Sequence, residues 1–351
     1  MKQIELFDTY TLQTGSNIFT PETVNKKVMY GQFFTKKNIW LKEHILDFIK
    51  ASGTIIAYDP FAGVGDLLKT AQEIGFKKIK GLDIDTNLQW NYNDSLINIP
   101  HISNAIIITN PPYLSNYSAA RKKIHKNLTR YFKNSDYDDL YLIALDKMLD
   151  AQNYVVAIIP ETFINSNFLR KNRLHSLTVL EDNPFYDTDT PVLVACFDNI
   201  EKDLNDVLIY KNDEYINTLG TIESMRLTPN RSIKMSFNYK SGWLAVRCVD
   251  TTNPKDTLRF DFKHNIGYDW NKGIKTSSRL LTLIGIDVPQ KYRQQFVDIC
   301  NKILFETREK TADLIFSPFK GNMKDGRRRR RLDFFTCRAI IEKAYNTIFN
   351  N

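Results

Sequence analysis

The sequence has few cysteines, no long apolar run and no internal repeat. Its four cysteines lie tens of residues apart, at spacings that suit neither a disulfide framework nor a structural zinc site. No apolar run approaches the roughly 20 residues that a membrane span needs. The first ten residues include acids and lack the apolar core of a secretory signal. The five histidines do not cluster. These absences predict a cytoplasmic protein without a metal site.

The positive charge is concentrated in the second part of the chain. The 351 residues carry a net charge of +8, and their length allows two domains. Residues 1–200 hold 21 Lys and Arg against 22 Asp and Glu, whereas residues 201–351 hold 27 against 18. A basic domain attached to a neutral one predicts a polyanionic partner such as nucleic acid, because phosphate neutralisation releases counterions.

Short apolar runs alternate with helical patterns over residues 1–200. The predicted strands are Thr54–Tyr58, Ile79–Ile84, Ala105–Thr109, Tyr154–Ile159 and Val192–Phe197. The predicted helices are Leu67–Glu73, Leu140–Leu149 and Asn165–Leu174. Apolar strands separated by helices are typical of a parallel sheet covered on both faces, so we expect a doubly wound, Rossmann-like α/β domain.

The alternation ends near residues 198–205. Two hairpin-length runs (Trp243–Val249 and Leu258–Phe262) and a terminal helix (Arg338–Ile348) follow. Residues 201–351 are therefore predicted to form a second, mixed α+β domain.

Two motifs that suit a nucleoside follow the first two strands. Asp59–Gly65 (DPFAGVG) is a glycine-rich turn into a helix, where the backbone can approach a ligand closely. Asp83, 24 residues after Asp59, ends the next strand and is placed to accept hydrogen bonds from ribose hydroxyls. We expect Asp85 to be solvated or to cap a helix. Asp94 either accepts from an adenine amino group or is an ordinary loop residue. No phosphate-binding lysine follows the turn, which favours a nucleoside ligand without phosphates.

The tetrapeptide Asn110-Pro111-Pro112-Tyr113 follows the strand Ala105–Thr109. Consecutive prolines end the strand and fix the backbone, which holds the Asn side chain and the neighbouring carbonyls as a rigid set of acceptors. Such a set can bind a planar exocyclic amine, and the tyrosine offers a face to its ring.

The order and spacing of these motifs resemble the S-adenosylmethionine-dependent DNA adenine-N6 methyltransferases of the gamma class. In that family the cofactor region precedes the catalytic motif, and a target-recognition domain follows both. The family's N-terminal Gly-x-x-x-Thr-Pro motif is similar to Gly31–Thr35, with Lys36 in place of the proline. The resemblance covers residues ~28–198 and implies a catalytic domain over residues 1–200 and a DNA target-recognition domain over residues 201–351.

The resemblance also implies roles for individual residues. S-adenosylmethionine would be bound by Thr35, Asp59, Phe61, Gly63, Gly65, Asp83, Ile84 and Asp94. The catalytic residues would be Asn110, Pro111, Pro112 and Tyr113. Phe185 would cover the second face of a flipped adenine, opposite Tyr113, with Tyr186 as its rival.

Two basic segments predict contact with the nucleic acid. Residues 121–133 contain no acid, and we expect a basic loop in which Arg121, Lys122 and Lys123 contact phosphates near the extruded base. The alternative is an exposed helix with solvated lysines. Arg327, Arg328 and Arg329 begin a run of five arginines that would follow the phosphate backbone or bind guanine edges, unless the run is only solvated.

The leading hypothesis is methylation of adenine N6 in a specific duplex DNA sequence, by a monomeric modification enzyme that accompanies a restriction endonuclease of the same specificity. Methylation of RNA adenines or of protein glutamine is the alternative within the same chemistry, and a catalytically idle nucleic-acid-binding protein is the alternative outside it. The C-terminal position of the basic domain argues against a protein substrate, and Phe185 favours a nucleobase over a side-chain amide.

Overall fold

The computed structural model describes residues 37–121, 125–185, 189–274 and 280–349. The chain divides into two compact units, the first ending at Gly220 and the second beginning at Thr221. None of the described helices is long and apolar enough to cross a membrane.

The first unit alternates strands and helices. Its strands are β1 (Ile56–Asp59), β2 (Lys78–Asp83), β3 (Asn91–Tyr92), β4 (Ala105–Thr109), β5 (Tyr154–Pro160), β6 (Leu174–Val179), β7 (Val192–Phe197), β8 (Leu208–Lys211) and β9 (Glu214–Thr218). Its helices are α1 (Lys37–Trp40), α2 (Glu43–Ala51), α3 (Asp66–Glu73), α4 (Asn116–Arg121), α5 (His125–Lys133), α6 (Leu140–Ala151) and the beginning of α7 (Leu219–Ser224).

These strands form one sheet in the order β3-β2-β1-β4-β5-β7-β6-β8-β9. The neighbours from β3 to β5 are parallel, as expected. The expectation of a parallel strand is wrong for β7, which runs antiparallel to both β5 and β6. The chain turns back after β6, so β7 pairs with β6 in the antiparallel direction and fills the place between β6 and β5. The α/β sheet is otherwise confirmed. Strands β8 and β9 extend it, so the compact unit continues about twenty residues past the predicted boundary.

The core lies between the sheet and the helices. All five residues of β4 are buried, and Ile106 and Ile108 pack in one apolar cluster with side chains of α2 and α3. A fully buried isoleucine stabilises a fold by about 1.5–3 kcal/mol. Burial of the isoleucines of β4 therefore fixes the position of this central strand and of its end, where the predicted site lies.

The predicted helix Asn165–Leu174 is wrong. Asn165 ends one 3-10 turn (Glu161–Asn165), a second spans Lys171–Arg173, and Leu174 begins β6. The guanidinium groups of Arg170 and Arg173 both donate to the carbonyl oxygen of Leu149 in α6, at 3.1 and 2.8 Å. These tertiary hydrogen bonds outweigh the local helix propensity.

The second unit has its own sheet, as expected of a mixed α+β domain. Its elements are β10 (Met235–Phe237), β11 (Leu244–Arg247), β12 (Arg259–Phe262), β13 (Leu281–Ile286), α8 (Arg293–Lys310), β14 (Ser317–Asn322), β15 (Arg328–Arg331) and α9 (Phe334–Phe349). The four-stranded antiparallel sheet has the order β10-β13-β11-β12. The predicted pair of hairpin-length runs forms β11 and β12. Strands β14 and β15 form a separate two-stranded hairpin.

Candidate active site

The ends of the parallel strands bring the predicted motifs together. Ala62 in the glycine-rich turn donates its backbone N–H to the carbonyl of Leu82 in β2, at 2.9 Å. Gly63 donates to Asp83 Oδ2 at 2.8 Å. Parallel strands place their carboxyl ends at the same sheet edge. The turn after β1 and the acid at the end of β2 are therefore adjacent.

Asp59 is the most buried acid at this edge. Asp59 is only 2% exposed. Its carboxyl group accepts hydrogen bonds from Thr109 Oγ1 at 2.5 Å and from the backbone N–H of Phe61 at 3.0 Å. Burial raises the pKa of Asp59 to about 7, and the nearby Asp83 adds to the rise, although the two hydrogen bonds oppose it. A carboxyl group whose pKa is shifted to about 7 at the end of a strand is typical of functional sites.

The Asp83 carboxylate is held by the backbone. Its Oδ2 accepts from Gly63, and its Oδ1 accepts from the backbone N–H of Asp85 at 2.9 Å. Burial raises the pKa of Asp83 as well. The expectation that Asp85 is solvated is wrong: Asp85 is 6% exposed and closes a turn by accepting from the backbone and the side chain of Asn87, both at 2.9 Å.

Trp90 packs against the glycine-rich turn, a contact that sequence reasoning missed. Its Nε1 donates to the carbonyl of Gly63 at 2.8 Å. A Cβ atom added at Gly65 or Gly81 would lie 2.8 or 2.4 Å from the Trp90 ring. Gly65 also has a φ of +86°, which favours glycine. An aromatic residue in an otherwise polar loop was the only sequence signal for Trp90.

The tetrapeptide leaves β4 at the same edge. Asn110 directly follows Thr109, and the Thr109 hydroxyl donates to the buried Asp59, so the predicted catalytic residue is next to the partner of the buried acid. Pro111 is buried and Pro112 half-buried. The Tyr113 hydroxyl donates to the carbonyl of Ile158 in β5 at 2.6 Å, which fixes the ring across the end of the next strand.

Phe185 does not face Tyr113 across an open gap. It is 2% exposed in the apolar core, and its ring centroid lies 6.0 Å from that of Tyr113 at an interplanar angle of 64°. Rings in edge-to-face contact leave no room for a base between them. The predicted role of Phe185 as the second clamp thus requires the ring to move and stays a prediction. Its rival Tyr186 lies outside the described residues.

Asp94 binds two side chains of α5. Its Oδ2 accepts from Arg130 Nη2 at 2.7 Å and from the Tyr131 hydroxyl at 2.9 Å. Burial raises the pKa of Tyr131 to about 12, so this hydroxyl keeps its proton at neutral pH. Sequence reasoning missed both partners because they lie 36 and 37 residues away from Asp94. The role of Asp94 as an adenine acceptor stays a prediction.

The basic segment after the tetrapeptide is helical where the structure describes it. Arg121 is exposed at the end of α4, and residues 125–133 form α5 rather than the expected loop. The predicted site residues Lys122, Lys123 and Thr35 lie outside the described residues. Ile84, the predicted neighbour of the adenine, is half-buried after β2.

The arginine run lies in the second unit, where strand pairing separates its members. Arg327 is exposed before β15 and binds Asp325, with Nε to Oδ2 at 2.9 Å. Arg328 donates to Asn322 Oδ1 at 2.9 Å. Arg329 donates to the backbone carbonyl of Asp250 at 2.8 Å. The run is therefore partly structural and is not uniformly solvated.

No group of His, Cys, Asp and Glu side chains that could hold a metal ion occurs in the part of the chain that the structure describes. The buried polar groups of the site are the carboxyl groups of Asp59, Asp83 and Asp85 and the hydroxyl of Thr109, and the half-buried Asn110 follows them. This arrangement suits binding of a cation and an amine.

Residues 30–186 match the Eco57I restriction-modification methylase family. The match includes the glycine-rich turn, Asp83, Asp94, the tetrapeptide and Phe185, and it supports methyl transfer by an enzyme of restriction-modification type that uses S-adenosylmethionine. No curated protein matches the chain.

Several solved methyltransferases are similar in structure, each over about half of this chain. A candidate RNA methyltransferase of Pyrococcus horikoshii is 17% identical over 50% of this chain and 90% of its own, with a TM-score of 0.33. The methyltransferase subunit of a type I restriction-modification system from Streptococcus thermophilus is 14% identical over 54% of this chain and 53% of its own, with a TM-score of 0.33. TrmN from Thermus thermophilus is 15% identical over 43% of this chain and 47% of its own, with a TM-score of 0.29.

The contact between Trp90 and Gly81 can be tested by substitution. Gly81→Ala places a methyl group 2.4 Å from the ring, so we expect the free energy of unfolding to fall by about 1–3 kcal/mol. Gly267→Ala is the control, because a Cβ there meets no atom of the described residues within 4 Å. In the background Trp90→Leu, the cost of Gly81→Ala should shrink. An equal cost in both backgrounds would contradict the contact.

The pH dependence of stability should reveal the buried Asp59 carboxyl. Because its pKa is about 7 in the folded protein and about 4 in an unfolded chain, the folded state binds more protons between these values. The stability that this group contributes is present below pH 4 and is lost as the pH rises through 7. Asp59→Asn removes the titration but keeps an acceptor for Phe61 and Thr109. Between pH 5 and pH 8 the wild type should lose about 2–3 kcal/mol more than the variant.

Urea unfolding of both proteins at these two pH values measures the difference. The exposed Asp182→Asn provides the control and should follow the wild type. Parallel profiles for the wild type and Asp59→Asn would show that Asp59 is ionised throughout this range.

Proposed function

We propose that this protein transfers a methyl group from S-adenosylmethionine to N6 of an adenine flipped out of duplex DNA, within a specific sequence. The observation that carries the proposal is the convergence of Asp59, Asp83 and the tetrapeptide Asn110–Tyr113 at one sheet edge. The Eco57I family match over residues 30–186 supports the restriction-modification context.

The site fits S-adenosylmethionine in charge and in shape. This molecule carries positive charge on its sulfur and on its amino group. Burial raises the pKa of both Asp59 and Asp83, and a bound cation would favour their ionised forms. A Cβ at Gly63 would meet no atom of the described residues within 4 Å, which supports a close approach of a ligand to this turn. Both Asp83 oxygens accept backbone N–H groups, and a remaining lone pair would accept from a ribose hydroxyl.

When bound, S-adenosylmethionine supplies a methyl group that its positively charged sulfur already activates. The chain's own residues then have to position the target amine. The Asn110 side chain and the Pro111 carbonyl would accept its N–H groups, and the proline pair keeps these acceptors fixed before the reaction. The methylated amine gives its extra proton to solvent. The cysteines are all buried and have no role.

Flipping is required because the amine of a paired adenine lies within the base stack. Tyr113 would stack on the extruded base, and base–aromatic stacking contributes about 1–3 kcal/mol. Its hydroxyl bond to Ile158 holds the ring in position before the base arrives. Phe185 would complete the clamp after it moves away from Tyr113.

The basic C-terminal region favours nucleic acid over protein glutamine as the substrate. Residues 201–351 carry the whole positive excess, and the second unit presents an arginine-rich hairpin. We propose the first unit, up to Gly220, as the catalytic part and the second unit, from Thr221, as the part that recognises DNA. A monomer in the cytoplasm of a prokaryote, paired with a restriction endonuclease of the same specificity, is the context that this function implies.

Two substitutions separate chemistry from cofactor binding. Asn110→Ala should reduce the single-turnover rate of methyl transfer at least tenfold and leave S-adenosylmethionine affinity within a few-fold. Asp83→Ala should weaken that affinity by about 1.5–3 kcal/mol, the range for hydrogen bonds to a charged group. Calorimetry and rapid-quench assays measure the two effects. Asp83→Asn, which can keep one backbone contact, controls for misfolding. Wild-type rates for Asn110→Ala would refute its catalytic role.

The modified position identifies the substrate. Long-read sequencing of DNA from a host that expresses the enzyme should show N6-methyladenine at one position of a short sequence, and the Asn110→Ala strain should lack it. Tritiated cofactor offered to DNA, RNA and protein in parallel distinguishes the alternatives. Label in RNA or protein alone would overturn the proposal of a DNA substrate.

A further inference from the structure

The hairpin of β14 and β15 contains arginines that support its base. Arg330 is 5% exposed, and its backbone N–H donates to Asp250 Oδ2 at 2.9 Å. Both Nη atoms of Arg308 bind the same fully buried carboxylate, at 3.1 and 3.0 Å. Arg329 binds the Asp250 carbonyl and lies 4.7 Å over the Phe319 ring. These arginines hold the hairpin on the second unit.

Another set of cations lies on the outside of the hairpin. Lys320, Lys324 and Arg327 are exposed. Asp325 is the only acid in residues 317–331, and its carboxylate is bound to Arg327. Among the described residues, Lys320 and Lys324 form no ion pair. The outer side of the hairpin is therefore strongly positive.

The end of the hairpin is held in one conformation. Met323 donates to the carbonyl of Arg327 at 2.8 Å, and Gly326 donates to the carbonyl of Met323 at 3.0 Å. Lys324 donates its backbone N–H to the carbonyl of Thr252 at 2.9 Å. Gly326 takes the positive φ of +87° that this turn needs. A fixed cationic surface loses little conformational entropy when it binds.

We propose that the hairpin of residues 317–331 enters the major groove of duplex DNA, with Lys320 and Lys324 on phosphates and Arg327 on a guanine edge. The inference rests on the proposed function, since it takes DNA as the substrate. Residues 249–252 lie along β15 and hold the turn, so the hairpin would present its exposed outer side, with Lys320, Lys324 and Arg327, to the groove, which is about 12 Å wide. The major groove of A-form RNA is too deep and narrow for side chains to reach its bases, so the surface selects DNA. Asp325 orients the Arg327 guanidinium, which can present two donors to guanine O6 and N7.

Salt dependence of binding tests the phosphate contacts. The probe is a 30-base-pair duplex that carries the methylated sequence found by long-read sequencing, and the protein is the full chain. Lys320→Gln with Lys324→Gln should reduce the slope of log K against log salt by about 2, because each phosphate contact contributes about 0.9. The matched control, Lys302→Gln with Lys310→Gln, removes the same charge from exposed positions of α8 and should leave the slope unchanged.

Guanine N7 protection tests the groove contact. The wild type should protect a guanine N7 of the duplex from dimethyl sulfate, and Arg327→Gln should lose that protection and at least about tenfold of the discrimination at that base pair. Arg330→Gln, in contrast, should lower the Tm because Arg330 is buried. The exposed variants should keep the wild-type Tm.

Equal salt slopes for the hairpin and α8 variants would overturn the inference, and so would an unprotected N7 or equally tight binding of an RNA duplex. The proposed function fails by a different result: a wild-type enzyme that binds no duplex DNA and methylates no adenine in it.

Discussion

The hydrogen bond from Thr109 Oγ1 to Asp59 Oδ1 joins the ends of two central parallel strands, and the candidate site is arranged around it. Both residues are buried, so this bond forms where an unsatisfied carboxyl would be costly. It also sets the position from which the tetrapeptide leaves β4. The carboxyl groups of Asp59 and Asp83, both buried at this sheet edge, lower the stability of the fold when they are ionised at neutral pH. A cationic ligand would offset that cost and stabilise the folded protein when it binds.

The site was predictable because its motifs follow parallel strands. A parallel strand buried on both faces is apolar along its whole length, which makes β1, β2, β4 and β5 visible in the sequence. Their carboxyl ends meet at one edge, so Asp59, Asp83 and Asn110 could be expected to lie near each other. The hydrogen bonds of Asp59 to Thr109 and of Asp83 to Gly63 confirm this proximity. Spacing cannot specify such partners, because several polar side chains reach the same edge.

The errors have a common physical origin in contacts between residues far apart in the sequence. The segment before β6 has helical propensity, but Arg170 and Arg173 bind carbonyls of other elements. Asp85 is an exception, because it appeared to be a surface acid and the residue that closes a turn on it, Asn87, is only two positions away. The arginine run is uniform in the sequence, and only strand pairing and the buried Asp250 decide which members point inwards. Local pattern carries no information about such partners.

The ion pair between Asp94 and Arg130 connects the proposed cofactor site with the basic helix α5. Asp94 follows the sheet edge at which we propose that the cofactor binds, whereas Arg130 belongs to the basic helix α5 after the tetrapeptide. An adenine amino group that donates to Asp94 must share this carboxylate with Arg130 and Tyr131, whose two hydrogen bonds already occupy Oδ2. A ligand that changes the charge around Asp94 therefore also changes the strength of the hydrogen bonds that Asp94 accepts from α5. Linkage makes such an effect reciprocal: if α5 contacts the DNA, then DNA binding and cofactor binding would alter each other's free energies by the same amount.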